Sequence, residues 1–420
     1  MSQVAFEAYD QAKKLQGEMV KEYYGELRAH HEAGGKVAWG FVMANPVEIF
    51  RAFDIPVVYP EITSLQCSFK GGAPPLIQLA EEEGYSTDCC GYVKMGVATV
   101  LNKGQTAIGY IPPPDILALT YSGCQIYIYW WEQLHYWTGS PIFTVDIPYL
   151  RGYDGHVPGH DVRYVAGQLY ELVDRLERLT GRKLDWEKLQ RIVKLSDEAW
   201  RLWRECLEMG RLKPSPIDGY FEAIYYMSAI TLLRGTQKCV DFYRFTLNEL
   251  KERAKLGIGP GGEERFRLVF EGVPNYPFFR RFWNMFSGWG GRCVAATYPK
   301  VAGMADFYGT HFRMDPEKPI ESIAEYMIHA YCNWNMVLRT QLIEKYVKDY
   351  SADGVVIHSI KSCRSFSMGQ GDIREYMMKE LDVPTLLIES DHVDPRYYAE
   401  AQLKNRIDAF FEALSVRKKR

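Results

Sequence analysis

The chain has 420 residues, 47 % hydrophobic and 25 % charged, an ordinary globular balance with room for two or three full-sized cores. A formal net charge of −3 gives no reason to expect nucleic acid or an anionic membrane as partner. No apolar run approaches the roughly 18–20 residues of a membrane span, and residues 1–7 lack the basic and apolar segments of a signal peptide, so a cytoplasmic protein is expected.

Residues 1–33 read as a helical lead-in, with Ala12, Leu15, Met19, Tyr23 and Leu27 at helical spacing and Gly34-Gly35 as the stop. A strand at 36–42, a helix at 46–53 and a strand at 55–59 then give β-α-β grammar, which predicts a parallel sheet. Strands at 116–120 and 141–146 complete a first α/β domain over 34–163. Helical patterning covers 164–212, with a break at Gly181, and resumes over 219–256 after Lys213-Pro214-Ser215-Pro216. Gly257-Ile258-Gly259-Pro260-Gly261-Gly262 closes this helical segment, 164–262, as a linker. A second α/β domain follows over 263–420, with strands at 267–272, 293–297, 354–358 and 385–389, and helices at 278–286, 320–350, 373–381 and 398–414. The predicted fold is α/β: two Rossmann/flavodoxin-like parallel-sheet domains with a helical lead-in and a helical segment between them.

Nine cysteines in a reducing compartment point to metal binding, catalysis or core packing sooner than to disulfides. Cys124 and Cys363 each follow an apolar strand and a Ser-containing turn. Open parallel sheets bind ligands outside the carboxyl ends of their strands, and a following helix start favours an anionic thiolate. Cys67 and Cys90 accompany Cys124 in the first half; Cys293 and Cys332 accompany Cys363 in the second. Three thiols suit a cubane with one iron left open, whereas zinc would call for a C-x₂₋₄-C pair that the chain lacks. The same residues also fit buried core cysteines. Cys206 and Cys239 lie on apolar helix faces and read as core. Cys89 adjoins Cys90, and neighbours seldom ligate one cluster. His358 either serves the site beside Cys363 or makes a structural hydrogen bond. Glu389 and Asp391 end a strand on the same side and either relay protons or cap. Tyr121, Tyr127, Trp130, Trp131 and Tyr136 either wall a pocket or serve the core and an interface.

Asp88-Cys89-Cys90-Gly91-Tyr92-Val93-Lys94, the run from Leu119 to Cys124, the run from His358 to Gln370, the run from Pro214 to Phe221 and the run from Asp391 to Tyr397 resemble the 2-hydroxyacyl-CoA dehydratase / benzoyl-CoA reductase family. The resemblance spans nearly the whole chain. It implies two α/β domains, and one [4Fe–4S] cluster on Cys90, Cys124 and Cys363. Cys90 takes the place over Cys89 because the ligand stands two residues before the Tyr of the motif. The surplus Cys67, Cys293 and Cys332 make the chain look like the double-cubane branch of the family. There an [8Fe–9S] cluster sits on six cysteines in a homodimer of anaerobic organisms. A separate ATP-hydrolysing [4Fe–4S] activator protein supplies low-potential electrons. This chain has no G-x-x-x-x-G-K-[ST] of its own. The resemblance thus implies an iron–sulfur reductase of a small unsaturated substrate, with His358 and Glu389 as catalytic candidates. The alternatives are a single-[4Fe–4S] subunit of an acyl-CoA dehydratase or benzoyl-CoA reductase, and a non-catalytic cluster carrier.

Overall fold

The computed structural model describes residues 9–152, 154–302 and 312–419. Two four-stranded sheets, all parallel, organise the molecule. The first runs in the order β2 (Val57–Val58), β1 (Ala38–Gly40), β5 (Ile116–Tyr121), β6 (Ile142–Asp146). The second runs β10 (Thr385–Ser390), β9 (Gly354–Ile360), β7 (Phe266–Glu271), β8 (Gly291–Ala296). The first sheet has the strand order 2-1-3-4 and the second, counted within itself, 4-3-1-2; both are open, parallel and wound in two directions from a central pair, as flavodoxin-like sheets are. Strands β5, β7 and β9 are almost wholly buried because helices cover both faces, so their sequences are continuous apolar runs rather than alternating ones. The short hairpin β3 (Gln105–Thr106)–β4 (Gly109–Tyr110) has no counterpart in the sequence reading.

The lead-in helix α1 (Gln11–Glu32) buries Ala12, Met19, Tyr23 and Leu27 as the spacing predicts. In the first half it is followed by α2 (Val47–Ala52), α3 (Pro60–Phe69), α4 (Ala73–Glu82), α5 (Gly91–Leu101) and α6 (Ile126–Thr138). The helical segment holds α7 (Gly159–Thr180), α8 (Trp186–Glu208), α9 (Phe221–Leu232) and α10 (Gln237–Leu256). Gly181, at φ +68°, ends α7 in the left-handed conformation that glycine adopts without a Cβ penalty. Helix α9 is buried on nearly every side, which explains its lack of a polar face. The predicted helix over 219–256 is therefore two helices, and the Thr236 hydroxyl caps the second by accepting from Cys239 N.

The second half adds α11 (Phe279–Ser287), α12 (Thr297–Ala302), α13 (Pro319–Ile328), α14 (Met336–Asp349), α15 (Arg364–Ser367), α16 (Gln370–Lys379) and α17 (Glu400–Lys418). The single helix expected over 320–350 is interrupted by a 3₁₀ turn at Tyr331–Asn333. Two asparagines make the break. Asn333 Nδ2 donates to Pro148 O (2.7 Å) and Ile328 O (3.0 Å). Asn335 caps α14 through Leu338 N while its Nδ2 donates to Gly152 O (2.8 Å). Both side chains tie this turn to the end of the first half, so tertiary hydrogen bonds override helical propensity. No helix among the described residues is long and apolar enough to cross a membrane.

Candidate functional site

Three of the predicted thiols come from three separate turns. Cys90 is the N-cap of α5, Cys124 lies between β5 and α6, and Cys363 is the N-cap of α15 directly after β9. Cys124 and Cys363 thus follow the third strand, in chain order, of each sheet, beyond its carboxyl end. Close backbone contacts bring the turns together. A Cβ on Gly91 would stand 2.2 Å from Val393 Cγ2, and one on Gly123 would stand 2.2 Å from Cys332 O. Gly123 also holds φ +82°, so glycine is required there twice over.

Cys90, Cys124 and Cys363 are half-buried; Cys332 is buried beside them. Burial pushes the Cys90 thiol well above its ordinary pKa, and Cys363 and Cys124 push it further. Cys124 behaves likewise, with burial first and then Cys332 and Cys363. Burial also raises Cys363, against the pull of Phe366 N–H and Arg339. Thiols this close cannot all ionise unless a positive group enters among them, which is what a metal cluster would supply. Backbone N–H groups of Val93, Ile126 and Phe366 favour the thiolate at Cys90, Cys124 and Cys363 respectively. Among the described residues no three His, Cys, Asp or Glu side chains are close enough to share one metal ion.

The floor beneath Cys90 is polar and densely bonded. His392 Nε2 lies 3.8 Å from Cys90 Sγ, and its Nδ1 lies 3.2 Å from Asp391 Oδ1. Asp391 accepts from Ser362 N (3.1 Å), Ser362 Oγ (2.6 Å), Val393 N (3.1 Å) and Asp394 N (3.0 Å). Its burial alone would raise its pKa; the His392 ring and these donors outweigh that and hold the carboxyl well below the usual carboxylate range. Asp391 is therefore a cap joining two loops. Lys94, buried, reaches Glu81 (2.9 Å) and Asp394 (3.6 Å), and locks the approach to α5 onto the same loop.

The wall opposite is aromatic with one carboxyl. Tyr92 meets His392 edge-on at 4.2 Å, Tyr276 OH donates to Tyr298 OH at 3.4 Å, and Tyr127 packs on Phe41 at 4.0 Å. Tyr127 stands within electrostatic reach of Glu61, Cys124 and Cys90. Glu61, in the first turn of α3, is buried and its Oε1 accepts from Val42 N at 3.2 Å. Burial pushes its pKa up to about 7. Arg339 lies under the other side, its guanidinium 4.8 Å over the Tyr331 ring, where it favours ionised Cys332 and Cys363. Nothing local in the sequence marks Arg339, and Glu61 looks there like an ordinary first-turn acid.

The remaining sequence candidates have other partners. Cys67 is in the last turn of α3, the helix that follows β2, and faces the β3–β4 hairpin around Thr106 and Ala107. Cys293 is the third residue of β8; it faces Asp218, and its thiol donates to Ala295 O at 3.2 Å. Cys206 and Cys239 are core, as expected. His358 is buried with both nitrogens engaged. Nδ1 sits 2.7 Å from the acceptor-only Val273 O and so carries the proton, leaving Nε2 to accept from Ser390 Oγ at 2.7 Å. Burial depresses its pKa to about 4, which keeps the ring neutral. Glu389 is exposed and pairs with Lys361 at 3.6 Å; the strand alternation that turns Ser390 inward turns Glu389 out.

The chain matches the family described as 2-hydroxyglutaryl-CoA dehydratase, D-component, over residues 42–414. It is 36 % identical over 413 residues to a benzoyl-CoA reductase subunit of Thauera aromatica, covering 96 % of this chain and 94 % of that one. It is 28 % identical over 420 residues to the (R)-phenyllactyl-CoA dehydratase alpha subunit of Clostridium sporogenes, covering 97 % and 99 %. It is 22 % identical over 476 residues to the (R)-2-hydroxyglutaryl-CoA dehydratase alpha subunit of Acidaminococcus fermentans, covering 95 % and 96 %. These relatives are subunits of dehydratase and reductase enzymes. The match over nearly the whole length, on a fold of two parallel sheets, places this chain in the 2-hydroxyglutaryl-CoA dehydratase D-component family.

Proposed function

We propose that this chain is the subunit of a CoA-ester dehydratase or benzoyl-CoA-type reductase that holds one [4Fe–4S] cluster on Cys90, Cys124 and Cys363. The observation that carries it is the convergence of these three half-buried thiols, close enough that ionising one opposes ionising another, from turns of both halves of the chain. A cubane is larger than a single ion and takes its ligands from farther apart. That suits thiols that interact strongly yet do not close on one metal. When bound, the cluster would supply one-electron chemistry at low potential. The chain's own residues supply the rest. The N–H groups at the helix starts bias the sulfurs toward thiolate, His392 stands beside Cys90, and tyrosines border the site. The Glu61 carboxyl holds a proton below about pH 7 beside Tyr127.

The relatives are each named as one subunit of an enzyme, which supports a second, different subunit as partner. An ATP-hydrolysing iron–sulfur activator remains the proposed electron donor. The double cubane in a homodimer is the second reading. Cys332, within reach of Cys124 and Cys363, favours it; the positions of Cys67 beside the hairpin and Cys293 beside Asp218 do not. Iron and sulfide analysis of anaerobically purified protein separates them. About four irons per chain is expected, about eight would establish the double cubane, and none in a folded protein would defeat both.

A further inference from the structure

One arginine stands where its helix otherwise buries apolar side chains. Arg339 shares the inner face of α14 with Leu338, Leu342, Ile343 and Tyr346 and is itself only 6 % exposed. A buried guanidinium keeps its charge and is costly to desolvate, so it is ordinarily paired. Arg234, Arg253 and Arg267 follow that rule, with Glu48 at 2.7 Å, Glu222 at 2.6 Å and Glu264 at 2.6 Å. Arg292 donates to the carbonyls of Ser215 and Gly262, but Asp218, Glu264 and Glu222 surround it with negative charge.

Arg339 has neither arrangement. Among the described residues its guanidinium donates to carbonyls and to no carboxylate: Nη1 to Ser365 O at 3.1 Å, and Nη2 to Tyr331 O at 3.3 Å and Cys332 O at 3.5 Å. Its buried Nε–H makes no hydrogen bond there. The carboxyl in its field is Glu271, whose oxygens accept from Tyr331 OH at 3.1 Å and from Thr297 Oγ1, and whose pKa burial raises. Lys94, buried on the Cys89 side, is by contrast engaged by Glu81 and Asp394.

What surrounds this unpaired cation is the thiol site. Ser365 lies two residues beyond Cys363, and Cys332 O abuts Gly123, the neighbour of Cys124. The Tyr331 and Phe366 rings lie 4.8 and 5.9 Å from the guanidinium carbon and close the space around it. Neutral thiols give the charge nothing to balance. Thiolates around an iron–sulfur core do, and every electron the core accepts makes the site more negative. We propose that Arg339 is the built-in counter-charge of the cluster, a positioning residue that raises the potential at which the site accepts one electron from its iron–sulfur donor. A fixed positive charge in a dry site favours the more negative, reduced state. The inference rests on the reading of the three thiols as cluster ligands, and assigns this chain a residue that sets the cluster's potential.

A dithionite titration followed by electron paramagnetic resonance tests it on the anaerobically loaded wild type, Arg339→Lys and Arg339→Gln, with iron per chain measured on each. Both substitutions lose the planar fork that reaches Ser365, Tyr331 and Cys332, and only lysine keeps the charge. The midpoint of Arg339→Gln should shift to more negative potential, and Arg339→Lys should recover most of that shift at equal iron. Iron held by Arg339→Lys and lost by Arg339→Gln also supports the counter-charge. A wild-type midpoint in fully loaded Arg339→Gln overturns it. A lysine variant displaced as far as the glutamine one, or iron lost from both, overturns it in favour of a hydrogen-bonding clamp. A wild type without iron defeats the cluster reading and this inference with it, whereas the two preceding outcomes leave that reading standing.

Discussion

The two halves of the molecule each build a four-stranded parallel sheet and place cysteines at matching points, yet they treat their polar groups differently. Cys90 and Cys332 each precede the helix that leads toward the third strand; Cys124 and Cys363 each follow that strand. Around the second-half strand ends two buried titratable groups are well satisfied. His358 uses both nitrogens and Asp391 accepts four hydrogen bonds. In the first half the buried Glu61 carboxyl accepts from Val42 N–H and bonds with Tyr127, yet burial still raises its pKa to about 7. The repeat delivers thiols from both sides, while the second half acts as scaffold and the first half keeps an acid of raised pKa on the tyrosine wall.

The largest effect should fall on the thiols. Ala at Cys90, Cys124 or Cys363 should each abolish cluster binding, leaving close to no iron per chain by colorimetric assay. If Cys332→Ala does the same, the matching pair of the second half is a full ligand, and the single-cluster assignment has to be redrawn around four thiols.

The scaffold role of Asp391 comes next. Removing it leaves the Ser362 hydroxyl and three backbone N–H groups, those of Ser362, Val393 and Asp394, without this acceptor. Asp391→Ala should therefore cost about 3–5 kcal/mol in urea unfolding, the usual penalty for breaking a buried charged network. A loss under about 1 kcal/mol would show that the loop holds itself and that the contrast between the halves is false.

The two halves should also give opposite pH slopes. Glu61 is raised from 4.5 to about 7, so the folded state binds the extra proton, and stability falls as pH rises from about 4.5 through 7. His358 is lowered from 6.5 to about 4, so its contribution is present above about 6.5 and is lost as pH falls toward 4. Each shift is worth about 3 kcal/mol. The two windows overlap between about pH 4.5 and 6.5, where the contributions oppose each other, so Glu61→Gln should remove the falling one and make stability rise more steeply from pH 5 to 7, which urea midpoints at pH 5, 6, 7 and 8 would show. A slope unchanged by the substitution would mean that Glu61 keeps an ordinary carboxylate pKa in the native state.

Much of this was legible in the residues because local signals and tertiary demands agreed. The β-α-β grammar, Gly181, Cys124 and Cys363 at strand ends, and the core cysteines Cys206 and Cys239 all needed only local pattern. The misreadings have physical causes. The helix expected over 320–350 breaks because Asn333 and Asn335 bond to carbonyls far away in sequence, at Pro148 and Gly152. Glu389 and Asp391 both looked like strand-end acids, and only the side-chain alternation of β10 and the turn after it separate an exposed pair from a buried cap. Arg339 acts across space on Cys332 and Cys363, and no window of sequence contains that relation.

The smallest predicted effect bears hardest on the choice between one cubane and two. Cys67 and Cys293 looked equivalent to the other thiols because each lies near a predicted strand, but a half-turn of helix or one step of strand decides which way a thiol points. The Cys67 thiol faces a hairpin and the Cys293 thiol donates to Ala295 O. Cys67→Ala and Cys293→Ala should therefore behave as core truncations, each costing about 1–2 kcal/mol with iron per chain unchanged. Iron that falls by half in either variant would mean that this thiol turns toward the others when the cluster assembles, and six ligands rather than three would then have to be accounted for.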